Sequence, residues 1–142
     1  MFLVQLSLGS LILVVTTAFH IAALVMLSNF LKRIEGAQGF RLNAVGVFLL
    51  LGVAVLAVLA IHTIEAWSWA AIYFQLGEFT ELKEALYFSV VTATTLGYGD
   101  VILSERWRLL GTFEAMGGLI LFGVSTAFLI ELMRRFFEED SE

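Results

Sequence analysis

The chemistry of this chain is concentrated in Thr94-Thr95-Leu96-Gly97-Tyr98-Gly99-Asp100. Glycines on both sides of a tyrosine let the backbone take left-handed or strained dihedrals that residues with a side chain resist. A ribbon of that kind turns its carbonyl oxygens to one side. Four ribbons around an axis stack those oxygens into rings, and such rings replace the water shell of a dehydrated alkali cation. A threonine hydroxyl adds one more oxygen at the inner end of the row, and the Asp100 carboxylate concentrates cations at the outer mouth.

Such a row works only if other elements hold it inside a bilayer, and composition supplies them. The chain has 142 residues, 60% of them hydrophobic and only 15% charged, with a mean hydropathy of +0.94, unlike a soluble domain. Cysteine is absent, which removes disulfides and thiolate metal sites. A net charge of −5 argues against nucleic acid as a partner. Proline is absent too, so any hinge must come from glycine.

Apolar stretches at 1–31, 42–66 and 107–133 are long enough to cross a bilayer, which takes about 20 residues as helix. Between the second and third lies 81–94, about 14 residues, too short to span and suited to a re-entrant half-helix. The fold class predicted is an all-α membrane protein: three transmembrane helices, a re-entrant pore helix and an extended filter. The organisation is an extra N-terminal transmembrane helix at 1–31, a cytoplasmic loop at 32–41 and a pore domain at 42–135. The pore domain divides into outer helix 42–66, pore helix 81–94, filter 95–100 and inner helix 107–133, and an acidic cytoplasmic tail follows at 136–142. No basic residue precedes the first apolar run and Lys32-Arg33 follow it, which reads as a retained span and not a cleaved signal.

Lys32, Arg33 and Arg41 in the first connection, with Arg134-Arg135 after the third span, place those ends in the cytoplasm and the N-terminus outside. The half-helix then enters from the outer face, with Trp67, Trp69, Tyr73 and Trp107 as an outer aromatic belt. Thr80 is the expected N-cap of the half-helix, and Glu81 and Glu84 suit its positive end. Its C-terminus would turn partial negative charge towards a cation.

The segment Ser89-Val90-Val91-Thr92-Ala93-Thr94-Thr95-Leu96-Gly97-Tyr98-Gly99-Asp100 closely resembles the pore-helix and filter signature of tetrameric potassium channels. The resemblance extends through Val101 and Trp107 and resumes at Gly117-Gly118-Leu119-Ile120-Leu121-Phe122-Gly123, similar to the glycine-bearing inner helix of that family. It covers Trp67 to Arg135, about half the chain, and leaves the first span outside the family's two-helix core. It implies a homotetramer passing K+ passively, with Thr95, Leu96, Gly97, Tyr98 and Gly99 as ion ligands and K+ bound at Thr95 to Tyr98. It also implies Gly118 as a gating hinge and Leu119, Phe122 and Thr126 as cavity lining, a set whose spacing puts it on one helix face. Leu96 stands in place of the commoner Val or Ile, Val91 in place of a buried acid some relatives keep, and Tyr87-Phe88 in place of a tryptophan pair.

Several residues carry two readings. Glu114 is an acid inside a span, which costs roughly 2.5–3.5 kcal/mol at mid-span unless it faces protein or water. Either it bonds behind the filter to Thr92 or His62 and tunes gating with pH, or it is a satisfied structural acid. His62 and Glu65, three apart near the outer interface, form a local pair at a helix end or a sensor. His20 lies on another span, so a metal site within one chain is not expected, and packing is the plainer reading. Gly111, Ala115 and Gly118 allow close helix approach, and Gly36 and Gly39 allow a tight turn. The terminal acids are a solvated end or an attractor of cations to the inner mouth.

No span carries the repeated arginines of a voltage sensor. Gating is left to the filter, the inner helices, lipid, protons or an unidentified regulatory partner. The function expected is a potassium-selective channel in the plasma membrane, with no catalytic cofactor and no enzymatic activity. The rivals are a non-selective monovalent cation channel and a non-conducting subunit that modulates another channel.

Overall fold

The computed structural model describes residues 2–38 and 44–138. Four helices follow one another: α1 (Phe2–Gln38), α2 (Ala44–Gln75), α3 (Leu82–Ala93) and α4 (Arg108–Glu138). α1, α2 and α4 are long and apolar enough to cross a membrane. α3 has 12 residues, a length of about 18 Å, against about 30 Å of hydrocarbon. The chain is an all-α membrane protein, with no strand among the described residues.

The long helices run past their predicted ends. α1 continues through Lys32 and Arg33 to Gln38, so the loop expected at 32–41 is largely helix and Gly36 makes no turn. Leu27 and Leu31 remain buried against Leu132 of α4, and no proline stops the helix behind them. Gly39 and Arg41 lie outside the described residues, as do the acids at 139–142. α2 ends at Gln75 and not at 66, because Trp69, Ala70 and Tyr73 are core residues packed beside α3. α4 likewise extends to Glu138.

α1 is apolar outside and partly polar inside. Its buried positions are Gln5, Gly9, Thr16, His20, Leu24, Leu27 and Leu31, steps of three, four and seven along one helix face. That face packs on α4. Gln5 Oε1 accepts the Leu109 N–H at 3.2 Å, satisfying one of the free amides in the first turn of α4. Gly9 sits against Phe113, and Leu13 against Gly117. His20 meets Ser125 further along. The pairs advance together, so α1 and α4 run parallel. α2 runs the other way, with Leu50 clustered near Leu132 and Tyr73 reaching Glu114.

One apolar cluster (Trp69, Tyr73, Phe79, Phe88, Leu103, Trp107 and Leu110 among its members) surrounds α3, and a second joins α1, α2 and α4 towards their other ends. Trp69, Tyr73 and Trp107 therefore form protein core and not the expected aromatic belt; Trp67 alone of that set is exposed. Tyr73 and Phe79 both meet Phe88 with ring centroids 5.2 and 5.4 Å away. These aromatics pack against the half-helix through Phe88.

Candidate functional site

α3 begins without the expected Thr80 cap. Glu81 is the N-cap, extended at φ −123°, with no side-chain cap bond; its carbonyl accepts from the amides of Glu84 and Ala85. The other end is better defined. Thr95 N–H reaches Thr92 O at 2.9 Å and Leu96 N–H reaches Val91 O at 3.0 Å. With Thr94 as C-cap and Thr95 left-handed at φ 59°, this pattern is a Schellman motif. Gly97 N–H also reaches Val91 O, at 3.2 Å. The row is thus anchored to its helix by three successive backbone amides.

Left-handed φ values recur at alternate positions: Thr95 (59°), Gly97 (54°) and Gly99 (79°). The two glycines take this geometry freely, while at Thr95 a β-branched residue occupies a conformation costing roughly 1–2 kcal/mol. Thr94 through Asp100 are all exposed on the single chain, including Leu96 and Tyr98 at 54% and 67%. The Thr94 hydroxyl folds back on its own helix, donating to Val90 O at 2.7 Å.

Two side-chain contacts brace this unit. Tyr87 donates to Asp100 Oδ2 at 2.7 Å, joining α3 to the outer end of the row. That bond is the main reason the Tyr87 phenol titrates above its ordinary value of 10.0. Behind α3, Glu114 is almost fully buried and bonds to Tyr73, whose hydroxyl donates at 2.6 Å, and to Ser89. Ser89 also lies 2.8 Å from the Ala66 carbonyl. The partners expected from sequence, Thr92 and His62, are not those bound. Glu114 ties α4 to α2 through Tyr73 and to α3 through Ser89.

Gly118 lies under the end of α3, where an added Cβ would stand 2.1 Å from the Ala93 carbonyl oxygen. Close approach thus requires glycine there, and α4 passes this point as continuous helix. Leu119, Phe122 and Thr126 are exposed on the single chain.

The structure also joins residues that sequence spacing left apart. His20 of α1 contacts Glu65 through Nδ1 at 2.8 Å, and His62 contacts the other Glu65 oxygen through Nδ1 at 3.1 Å. Both Nε2 atoms stand 3.0 Å from Ser125 Oγ of α4. The ring centroids of His20 and His62 are 5.0 Å apart. The His62–Glu65 pair is real, but it lies within α2 and not at a helix end, because α2 runs on to Gln75. A signal was available in sequence: Gln5, Thr16 and His20 share one face of an apolar span, and polar residues in a span face protein.

The model of a protein family described as "ion channel" matches residues 48–135, from α2 through the row to the end of α4. No curated protein and no solved structure matches the chain. The match covers more than half of the 142 residues. The chain belongs to this ion channel family and is a multi-pass membrane protein with a pore loop.

Proposed function

We propose that this ion channel is potassium-selective and conducts K+ passively as a homotetramer, through a column of oxygens supplied by Thr95, Leu96, Gly97, Tyr98 and Gly99. The observation that carries the reading is the alternation of left-handed φ at Thr95, Gly97 and Gly99, in a row tethered by its amides to Val91 and Thr92. Amides committed to the helix leave the carbonyls for another ligand, and alternate dihedrals line those carbonyls up. Threonine at a conformation that glycine takes without strain makes sense when its hydroxyl is wanted as an oxygen ligand. Multi-ion occupancy with knock-on between sites then moves the ion.

One chain has one row, and a ring needs four, so closed rotational symmetry supplies the rest. The exposed Leu96, Tyr98 and Leu119 are consistent with surfaces that neighbouring subunits cover. In this reading Asp100 gathers cations at the outer mouth, Gly118 is the point about which α4 bends, and Leu119, Phe122 and Thr126 face the cavity below the row. The protein sits in the plasma membrane with its N-terminus outside, on the distribution of Lys and Arg.

The test is cation flux into liposomes containing only the purified chain, with potassium and sodium compared and barium as blocker. Barium-sensitive potassium flux without comparable sodium flux is expected. Equal fluxes overturn selectivity and favour a non-selective cation pore. A silent protein across a pH series, with native mass spectrometry finding no tetramer, overturns the homomeric channel in favour of a modulatory subunit.

A further inference from the structure

The cluster where α1, α2 and α4 meet has no part in the ion row, yet it has the composition of a metal centre. We propose that His20 Nδ1, His62 Nδ1 and the Glu65 carboxylate form a binding site for a divalent transition metal of the zinc class, with Ser125 as its outer partner. One ligand atom from each of the three residues lies within 4.8 Å of the others. Zinc holds imidazole nitrogen at about 2.0–2.1 Å and carboxylate oxygen at about 2.0–2.2 Å, so tetrahedral neighbours stand about 3.4 Å apart. The Nδ1-to-carboxylate distances are 2.8 and 3.1 Å. The two contacts run to different carboxylate oxygens, and opening the shorter by about 0.6 Å, with the imidazoles turned towards a common centre, admits the ion.

Proton counting points the same way. If both Nδ1 atoms carry hydrogen and donate to Glu65, both Nε2 atoms are acceptors and face one hydroxyl. Ser125 has a single proton and satisfies only one of them, leaving a nitrogen unmatched where His20 and Ser125 are 0% and 3% exposed. A metal on the Nδ1 side moves both hydrogens to Nε2, and the two lone pairs of Ser125 Oγ accept both. A metal-bound imidazole with its second nitrogen fixed by an acceptor is the usual outer arrangement of such sites. A single extra proton would settle the same contact, which makes direct metal binding the deciding measurement.

Access and selectivity are provided for. His62 and Glu65 line a cavity of about 360 Å³ that Thr94, Gly118 and Phe122 also border. Two imidazoles and a carboxylate suit zinc, cobalt or nickel, whereas hard cations prefer all-oxygen sites. The ligands come from α1 and α2, while Ser125 and Phe122, stacked on His62 with centroids 4.3 Å apart, come from α4. A bound ion therefore locks the three spans together at a point past Gly118. It gives the first span a regulatory part in holding α4.

The experiment uses the full chain, carrying a tag without histidine and stripped with a chelator. Zinc binding is read by titration calorimetry and cobalt binding by visible absorption. One ion per chain is expected, with stoichiometric binding lost in His20→Gln and in Glu65→Gln. Ser125→Ala keeps the ligands and weakens affinity about 10–100-fold. X-ray absorption of the zinc-loaded, unaltered chain should find two imidazoles and oxygen, and needs no variant to fold. A wild-type chain that takes up no stoichiometric ion, or binding unchanged in His20→Gln, overturns the site. Zinc should also change potassium flux in the wild type and not in His20→Gln; loss of the flux reading alone leaves the binding measurements to decide.

Discussion

The bond from Tyr87 to Asp100 is the one side-chain tie between α3 and the outer end of the row among the described contacts. It stands on the exposed surface of the single chain, so its worth lies in geometry more than energy. Accepting the phenol's hydrogen bond, Asp100 keeps Tyr87 protonated past its usual 10.0. A raised tyrosine value means the bond is whole below about pH 10 and is lost as pH climbs through the raised value. On the proposed potassium-channel reading, sustained flux should therefore be independent of pH across the neutral range and fall in strong alkali. Tyr87→Phe, lacking the bond at all pH values, should show a less stable conducting state at pH 7 and no Tyr87-dependent alkaline step. Flux decay recorded at pH 7 and above pH 10 checks this. Identical decay in the two proteins would show that the bond does not hold the row. Neither Tyr87 nor Glu114 revealed its partner in sequence. Asp100 is thirteen positions from Tyr87 and Tyr73 is 41 from Glu114. Bonds of that kind exist only once the helices are packed.

At the scale of elements, the half-helix and row were legible because their signals are local. Length separates α3 from a span, and Gly97 and Gly99 mark left-handed backbone whatever surrounds them. Helix ends were less legible. Trp69 and Tyr73 look like interfacial anchors by type, but Tyr73 packs on Phe88 and Trp69 on Tyr73, which makes both core and carries α2 on to Gln75. Gly118 shows the same limit, since hinge and close contact are both glycine positions. The contact is now placed: a Cβ there would stand 2.1 Å from the Ala93 carbonyl oxygen and 2.8 Å from its carbon, backbone atoms that cannot swing aside. Gly118→Ala should therefore push α3 off α4, lowering both the thermal stability of the protein and the flux. Gly123→Ala is the control, because nothing within the chain stands within 4 Å of its added Cβ. Alanine there should raise helix stability by up to about 1 kcal/mol. A Gly118→Ala protein of unchanged stability but lost flux would favour the hinge over the contact.

For the whole molecule, the main departure from a two-helix pore is α1, and its position was not legible from hydropathy. A span apolar on nearly every side gives no direction by amphipathicity; the directing residues are its few small and polar ones. Gly9, Leu13 and His20 meet Phe113, Gly117 and Ser125, so small faces large and large faces small along two parallel helices. This interlock is directly testable by exchange. An added Cβ at Gly9 would lie 2.5 Å from the Phe113 ring, so Gly9→Leu should lift α1 from α4 and lower the thermal stability of the protein. Overpacking of this kind typically costs about 1–3 kcal/mol. Phe113→Ala alone leaves a void, at about 3–5 kcal/mol for a buried aromatic and less here because Phe113 is only partly buried. Joined in one chain, each change fills or clears the space the other disturbs. The double variant should then be more stable than the sum of the single effects predicts, by 0.5 kcal/mol or more. Strict additivity would mean that α1 does not rest on α4 in this register. The Leu13–Gly117 contact, with the sizes reversed, should then fail the same exchange. Coupling at both pairs would establish the parallel register that brings His20 to Glu65 and Ser125.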